Sequence, residues 1–302
     1  MRRIADWWFA PAPAARLAAV RILVGTYALV YVLVRLPELA AVAHLPARDF
    51  EPVGVTRVLV APLPAWLSLA LVGATIAALV AFAAGVRWRI VAPIAAALLL
   101  WTTTYRNAWG MTFHTENLFV LHVIALAWTP AADAYALGAR PGAPRAPAAG
   151  YGWGLKLLAA LTAATYVLAG VAKLRLGGMG WIDGELLRNQ IAVDNLRKAL
   201  LGEPTAPLAT PLLQHSAWFS IVSVATLVLE LGAPLALLGG RLARGWVLAA
   251  WGFHAGVILL MNVWFPYPVI GFAYLPLLHA ERVIEAPRGW LRRRRARREI
   301  RG

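Results

Sequence analysis

Cysteine is absent from the chain. Disulfides, thiolate nucleophiles, Cys-based metal sites, iron–sulfur clusters and c-type haem attachment are therefore excluded together. Charge is also scarce: 14% of residues are charged against 61% hydrophobic. A soluble domain is roughly one-quarter charged and less than half apolar, so this composition points to lipid as the solvent. No phosphate-binding loop, dinucleotide glycine pattern or serine-nucleophile motif occurs. Acidic residues are few, and the 302-residue chain carries a net charge of +15. Much of that excess lies in the run Trp290-Leu-Arg-Arg-Arg-Arg-Ala-Arg-Arg, directly after the last apolar segment. A juxtamembrane arginine cluster orients a membrane protein and meets anionic lipid. No interleaving of basic and aromatic residues accompanies it, so no nucleic-acid partner is expected.

What is present is a series of long apolar segments. A spanning helix takes about 20 mostly apolar residues, and lipid leaves no partner for free backbone groups, so helices are required. The candidate spans are 15–35, 65–85, 89–105, 114–129, 153–173, 217–238, 245–264 and 267–280. The expected fold is an all-α integral membrane bundle of about eight transmembrane helices, with a long extracytoplasmic loop before span six. Residues 1–285 form the membrane domain and 286–302 a basic cytoplasmic tail. Asp6, Pro11 and Pro13 interrupt the N-terminal segment, so the first apolar run reads as a retained span rather than a cleaved signal. Arg2, Arg3, Arg87, Arg89, Arg140, Arg145, Arg241 and Arg244 then fall on the tail's side of the membrane. Positive charge marks the cytoplasmic face, which predicts a cell-membrane protein with both termini in the cytoplasm. Residues 36–64 and 174–216 are the long outer connections. Within the second, a helix is expected from Gly184 to Leu201, folding back through Trp181, Ile182, Leu186, Leu187 and Ile191. No internal repeat of the transporter type is visible.

Ionisable and polar residues inside spans are functional candidates. Lys173 ends the fifth span, and Tyr166, Gly170 and Lys173 share one helical face at spacings of four and three. A lysine at a helix end commonly snorkels to the interface; enclosed, it becomes a candidate base. His114 opens the fourth span, with Asn117 one turn along. The topology places Lys173 and His114 near the same outer face, and an interfacial helix cap is the alternative role for the histidine. Glu230 in span six and Arg21 in span one lie at similar depth, which predicts a structural ion pair. His254 and His122 lie within spans, where a lone histidine is more often a hydrogen-bonded packing residue than a ligand. No paired histidine spacing points to a metal. Asn262, Trp264, Phe265, Pro266 and Tyr267 form an aromatic rim, read either as an interfacial belt or as a wall for a flat ring.

These residues carry a resemblance. Tyr166-Val-Leu-Ala-Gly-Val-Ala-Lys173-Leu resembles the helix bearing the catalytic lysine of vitamin K-dependent γ-glutamyl carboxylases, and Phe113-His114-Thr-Glu-Asn-Leu resembles the segment bearing their catalytic histidine. Gly252-Phe-His254 with Asn262-Val-Trp-Phe265-Pro266-Tyr267 looks like a later helix of the same enzymes. Arg16-Leu-Ala-Ala-Val-Arg21-Ile-Leu-Val-Gly25 looks like the N-terminal signature of HTTM (horizontally transferred transmembrane) domain proteins. The resemblance implies a quinol-dependent oxygenase or carboxylase-like enzyme. Lys173 would be the base, His114 the electrostatic partner and a reduced isoprenoid quinone of the vitamin K or menaquinone type the cofactor. Asn117, Tyr166, Gly170, His254, Asn262 and Phe265 would line its pocket. Two positions depart from the animal enzymes: Ala172 stands where they have a second lysine, and Phe113 where they have asparagine. A non-catalytic HTTM protein serving as partner or maturation factor for an exported peptide is the alternative reading, and a small-molecule transporter a third.

Overall fold

The computed structural model describes residues 2–110, 114–137 and 146–286. Arg140, Arg145, Phe113 and nearly all of the basic tail lie outside the described residues. Two compact units emerge: residues 1–158 with 279–302, and residues 159–278.

The first unit contains α1 (Arg2–Trp8), α2 (Ala14–Val34), α3 (Leu36–Val42), α4 (Ala65–Ala84), α5 (Trp88–Arg106) and α6 (Asn117–Ala127). Pro13 and Pro64 immediately precede α2 and α4, where a missing N–H costs nothing because the first turn has no acceptor for it. The α2–α4 contact is a close one. A Cβ on Gly25 would stand 2.9 Å from the Phe82 ring and 3.2 Å from the Ala83 Cα. Between α4 and α5 the hydroxyls of Thr75 and Thr102 lie 2.8 Å apart. Helix α4 ends at Gly85, whose φ of 73° is left-handed and whose absent side chain leaves room for the Arg21 guanidinium. Phe119 of α6 packs edge to face on Tyr27 and tilted against Tyr31 of α2.

Helix α7 (Ala149–Gly177) carries the chain into the second unit, which continues through α8 (Met179–Ile182), α9 (Glu185–Leu200), α10 (Ala209–Leu213), α11 (Ser216–Leu231), α12 (Gly240–Met261) and α13 (Pro266–Val269). Gly184, at φ 86°, lies against the backbone of Phe219 and Ser220; a Cβ there would sit 2.4 Å from main-chain atoms. Asp183 also accepts a hydrogen bond from the Ser220 hydroxyl. These contacts fix the turn before α9 on the first part of α11. Ten residues further from that turn in each direction, Lys173 of α7 meets Glu230 of α11, so the two helices run antiparallel. Trp246 of α12 donates to the Leu229 carbonyl at 3.0 Å. Ile191, Ala206, Ala209 and Phe219 form a small core under α9 and α10.

Among the described residues, four helices are long and apolar enough to cross a membrane: Ala14–Val34, Ala65–Ala84, Ala149–Gly177 and Gly240–Met261. Helices Asn117–Ala127 and Ser216–Leu231 are apolar but shorter. Three expected spans are altered. The fourth begins at Asn117, leaving His114 ahead of the helix. The sixth stops at Leu231, and Ala233–Leu238 follows as a 3₁₀ segment, since Pro234 cannot donate in a continuing helix. The segment 267–280 divides into Pro266–Val269 and a 3₁₀ turn over Phe272–Leu277, separated by Gly271 at φ 90°. The helix expected from Gly184 to Leu201 is present as Glu185–Leu200.

Candidate functional site

In the second unit, Tyr166, Gly170 and Lys173 occupy one face of α7, and each meets a different neighbour. Gly170 permits the closest approach: a Cβ there would lie 3.0 Å from Leu231 Cδ2 and 3.1 Å from Glu230 Cβ. One turn later, the Lys173 ammonium pairs with Glu230 Oε1. The carboxylate is almost fully enclosed, at 2% side-chain exposure, and the lysine retains 20%. The same ammonium lies 5.1 Å from the Trp181 ring centroid and 5.6 Å from that of Phe253, where the faces of the rings attract a cation.

Two turns back along α7 from Lys173, the Tyr166 hydroxyl lies 2.9 Å from His254 Nε2 and 2.7 Å from the Tyr274 hydroxyl. A T-shaped contact with Trp246 at 4.9 Å packs the Tyr166 ring. Phe265 rests against the His254 imidazole at 5.3 Å. Four buried polar atoms of this unit have no hydrogen-bond partner: Glu230 Oε2, Ser223 Oγ, Trp181 Nε1 and His254 Nδ1. Such atoms are uncommon and expensive, and they include a hydroxyl, two ring nitrogens and a carboxylate oxygen. Asn262 is engaged elsewhere: its amide donates to the Pro204 carbonyl at 3.0 Å and its oxygen accepts from Trp264 at 3.2 Å.

The sequence expectation paired Glu230 with Arg21, and the structure replaces that pair. Glu230 takes Lys173. Arg21, buried in the first unit with no exposed surface, donates from Nη1 to the carbonyls of Ala131 and Ala134, at 2.8 and 3.2 Å, and from Nη2 to that of Tyr135 at 2.7 Å. Depth along a span was the sole basis for the expected pair. It cannot register that the turn following α6, over residues 131–135, presents three backbone carbonyls to the guanidinium.

His114 and Asn117 belong to the first unit, and both are exposed there. Next to His114, Glu116 is buried and accepts from Thr115 at 2.9 Å. Its carboxylate lies 3.6 Å from the guanidinium of Arg106, which also faces Glu38 at 3.1 Å and donates to the Tyr31 hydroxyl at 2.9 Å. Arg35 completes the group through Glu38 at 2.7 Å. His122, two turns into α6, sits against the Leu158 carbonyl at 3.1 Å, a packing role. Among the described residues, no three His, Asp or Glu side chains gather as metal ligands.

Sequence reasoning missed Tyr274, Trp246, Arg106 and Glu116, and named Trp181 only as a residue of the loop folding back. The signal for Arg106 and Glu116 was present as charges at the edges of apolar runs. For the aromatic residues the sequence carries no such sign.

Comparison with curated proteins and with solved structures gives no match. The family model for the HTTM domain matches residues 9–281, and on that match over nearly the whole chain the protein belongs to the HTTM domain family.

Proposed function

We propose that this membrane protein is a quinol-dependent oxygenase or carboxylase-like enzyme, with Lys173 as base and His114 as electrostatic partner. The observation that carries the reading is the setting of the Lys173 amine: held by a buried carboxylate, faced by two aromatic rings, in a unit where four buried polar atoms lack partners. A reduced isoprenoid quinone fits that chemistry. Its ring is flat and apolar on both faces, as Trp181, Phe253 and Phe265 are, and its oxygens need donors and acceptors. When bound, it supplies an acidic hydroxyl and the electrons for reaction with oxygen.

Lys173 acts as a base only if its proton rests elsewhere. Glu230 is the group in contact with it, and Oε2 is unpaired, so a proton can pass to the carboxylate and leave a neutral amine beside a neutral acid. That neutral pair avoids the desolvation cost that a buried ion pair carries. The neutral amine then accepts the ligand's hydroxyl proton. Tyr166 holds His254 and is itself held by Tyr274, fixing the imidazole while Nδ1 is left to bind. His114 supplies a donor toward developing negative charge.

The same proposal takes eight passages, with the short and broken segments completing the crossings begun by the four long helices. It puts both termini in the cytoplasm of the cell membrane, on the side of the arginines. Purified protein in liposomes, given reduced menaquinone and oxygen, should yield the quinone epoxide. Lys173→Ala and His114→Ala should each abolish it. Equal product from wild type and Lys173→Ala, or none from wild type, overturns the enzyme reading.

A second reading is favoured by Gly170. The close approach of α7 to Leu231 and Glu230 makes the Lys173–Glu230 pair a helix clamp without chemistry. The protein is then a non-catalytic partner or maturation factor for an exported peptide.

A further inference from the structure

Helix α9 is inverted. A helix on the surface of a water-soluble protein turns apolar residues inward and polar ones outward. On α9 the inward face, through Leu187, Ile191, Asn195 and Lys198, includes an amide and an ammonium, with Asn195 and Lys198 both buried. The opposite face carries Val193, Leu196 and Leu200, exposed at 64, 60 and 78%, and Leu201 follows at 63%.

The inward polar residues have a definite task. The last carbonyls of a helix have no intrahelical donors. At the end of α12, the Leu259 carbonyl accepts from the Leu208 N–H at 3.0 Å, the Leu260 carbonyl from Asn195 at 3.0 Å, and the Met261 carbonyl from Lys198. Asn195 also accepts from the Ala206 N–H at 2.7 Å, tying down the turn after α9. Asn262 reaches back to the Pro204 carbonyl at 3.0 Å. Helix α9 is thereby fastened across the C-terminal end of α12, which is one of the four helices suited to span a membrane.

That end is also where the exposed indoles of Trp264, just after α12, and Trp218, at the start of α11, are found. Tryptophans of this kind mark the headgroup level. Leu176 at the close of α7 and Met179 at the start of α8 are exposed and extend an apolar surface from the end of that helix toward α9. Arg197, 53% exposed, borders the apolar stripe, as basic residues do on helices lying in a membrane surface.

We infer that α9 is an in-plane interfacial helix whose Val193–Leu196–Leu200–Leu201 face is seated in the lipid leaflet at the C-terminal end of α12. The occupant is the bilayer itself. The apolar stripe is continuous with the lipid-facing ends of α7 and α12, and every polar group α9 turns inward is spent on holding it at that level. The inference stands independently of the enzyme reading.

The natural chain, free of cysteine, is the background for its test. Single cysteines at Val193, Leu196, Leu200 and Glu203 are spin-labelled in the full-length protein, reconstituted in liposomes of phosphatidylcholine and phosphatidylglycerol. Collision with oxygen, which concentrates in lipid, is compared with collision with a water-soluble nickel chelate. The expected result is a shift from nickel-favouring at Glu203, whose side chain is 50% exposed beyond the helix, to oxygen-favouring at Val193, Leu196 and Leu200. Nickel-favouring labels at 196 and 200 overturn the inference, since the face is then in water. Labels shielded from both reagents overturn it too, and indicate that a protein, a second copy or a peptide, covers the stripe. All four positions are exposed, so labelling leaves the packed core intact.

Discussion

Arg21 and Lys173 are both cations set into apolar helices, one in each unit, and they are held in different ways. Arg21 has neutral partners: three carbonyls from the turn over residues 131–135, with the Trp88 ring 5.9 Å from its carbon. Lys173 has a charged partner, a carboxylate that keeps one oxygen unpaired. A guanidinium does not give up its proton in a protein, whereas an ammonium does. The first arrangement therefore fixes backbone and changes nothing. The second can lose both charges through one proton transfer, which is the property a base requires. The lesson is that a buried cation within a span is better judged by its acceptor than by its depth.

The largest effect should come from Arg21→Leu. Each of three carbonyls loses its donor, and a buried group left unpaired costs about 1–3 kcal/mol. Loss of monodisperse folded protein in detergent is expected, with partial recovery in Arg21→Lys, which restores an ammonium but not the fork. If Arg21→Leu eluted and melted like wild type, the turn over 131–135 would not need its donor and the contrast between the two cations would collapse.

Next in size is a cycle at the second cation. Lys173→Met strands Glu230 in a buried position, and breaking such a pair from one side costs about 3–5 kcal/mol before protonation of the acid relieves part of it. Glu230→Met should cost less, because Lys173 at the end of α7 keeps 20% exposure and can extend its amine toward the membrane interface. The double variant Lys173→Met/Glu230→Met should melt above Lys173→Met. Thermal melting in one detergent measures all three. Additive losses would mean that the pair has no coupling, and the proton-sharing argument for Lys173 would go with it.

How far the sequence reached can be traced in these same residues. Composition and apolar runs led to a helical membrane protein, and spacings of three and four put Tyr166, Gly170 and Lys173 on one face, because helix periodicity is a local property. His254 and Phe265, which the resemblance grouped with Tyr166, do lie in a chain of contacts with it, the imidazole on the Tyr166 hydroxyl and Phe265 on the imidazole. The Arg21–Glu230 pairing failed because a partner is chosen by packing, and apolar periodicity does not encode which helix lies opposite. Tyr274 was invisible for a related reason. It lies in a 3₁₀ turn broken by Gly271 and Pro276, read in advance as part of a plain span, yet it ends up 2.7 Å from Tyr166. His114 was taken as the start of a helix, but α6 begins three residues later; helix ends depend on caps that a hydropathy run does not show. The inverted polarity of α9 was likewise hidden, because Asn195 and Lys198 look like an ordinary solvated face until the carbonyls of α12 are brought beneath them.

The smallest effect sharpens the comparison at the edge of a span. Arg16, at the start of α2, grips Glu281 by two nitrogens, with Nε at 3.0 and 3.2 Å from the two carboxylate oxygens and Nη2 at 2.9 Å. Unlike Arg21, it faces a carboxylate; unlike Lys173, it cannot surrender its proton. Burial alone pushes the Glu281 carboxyl up, but the Arg16 hydrogen bonds and the nearby charges outweigh it and hold the group below the ordinary carboxylate value. A carboxyl whose value is lowered by folding contributes stability above the unfolded value and loses it as pH falls toward the folded one. The pair should therefore stabilise the first unit fully at neutral pH and progressively less as pH drops through the carboxylate range. For a partly exposed bidentate pair, about 1 kcal/mol is the expected size. Glu281→Gln should lower the melting point at neutral pH by a few degrees, and the gap from wild type should close on acidification. A gap that stayed constant with pH would mean that the contact works through shape and packing rather than charge, leaving Lys173–Glu230 as the pair whose ionisation matters.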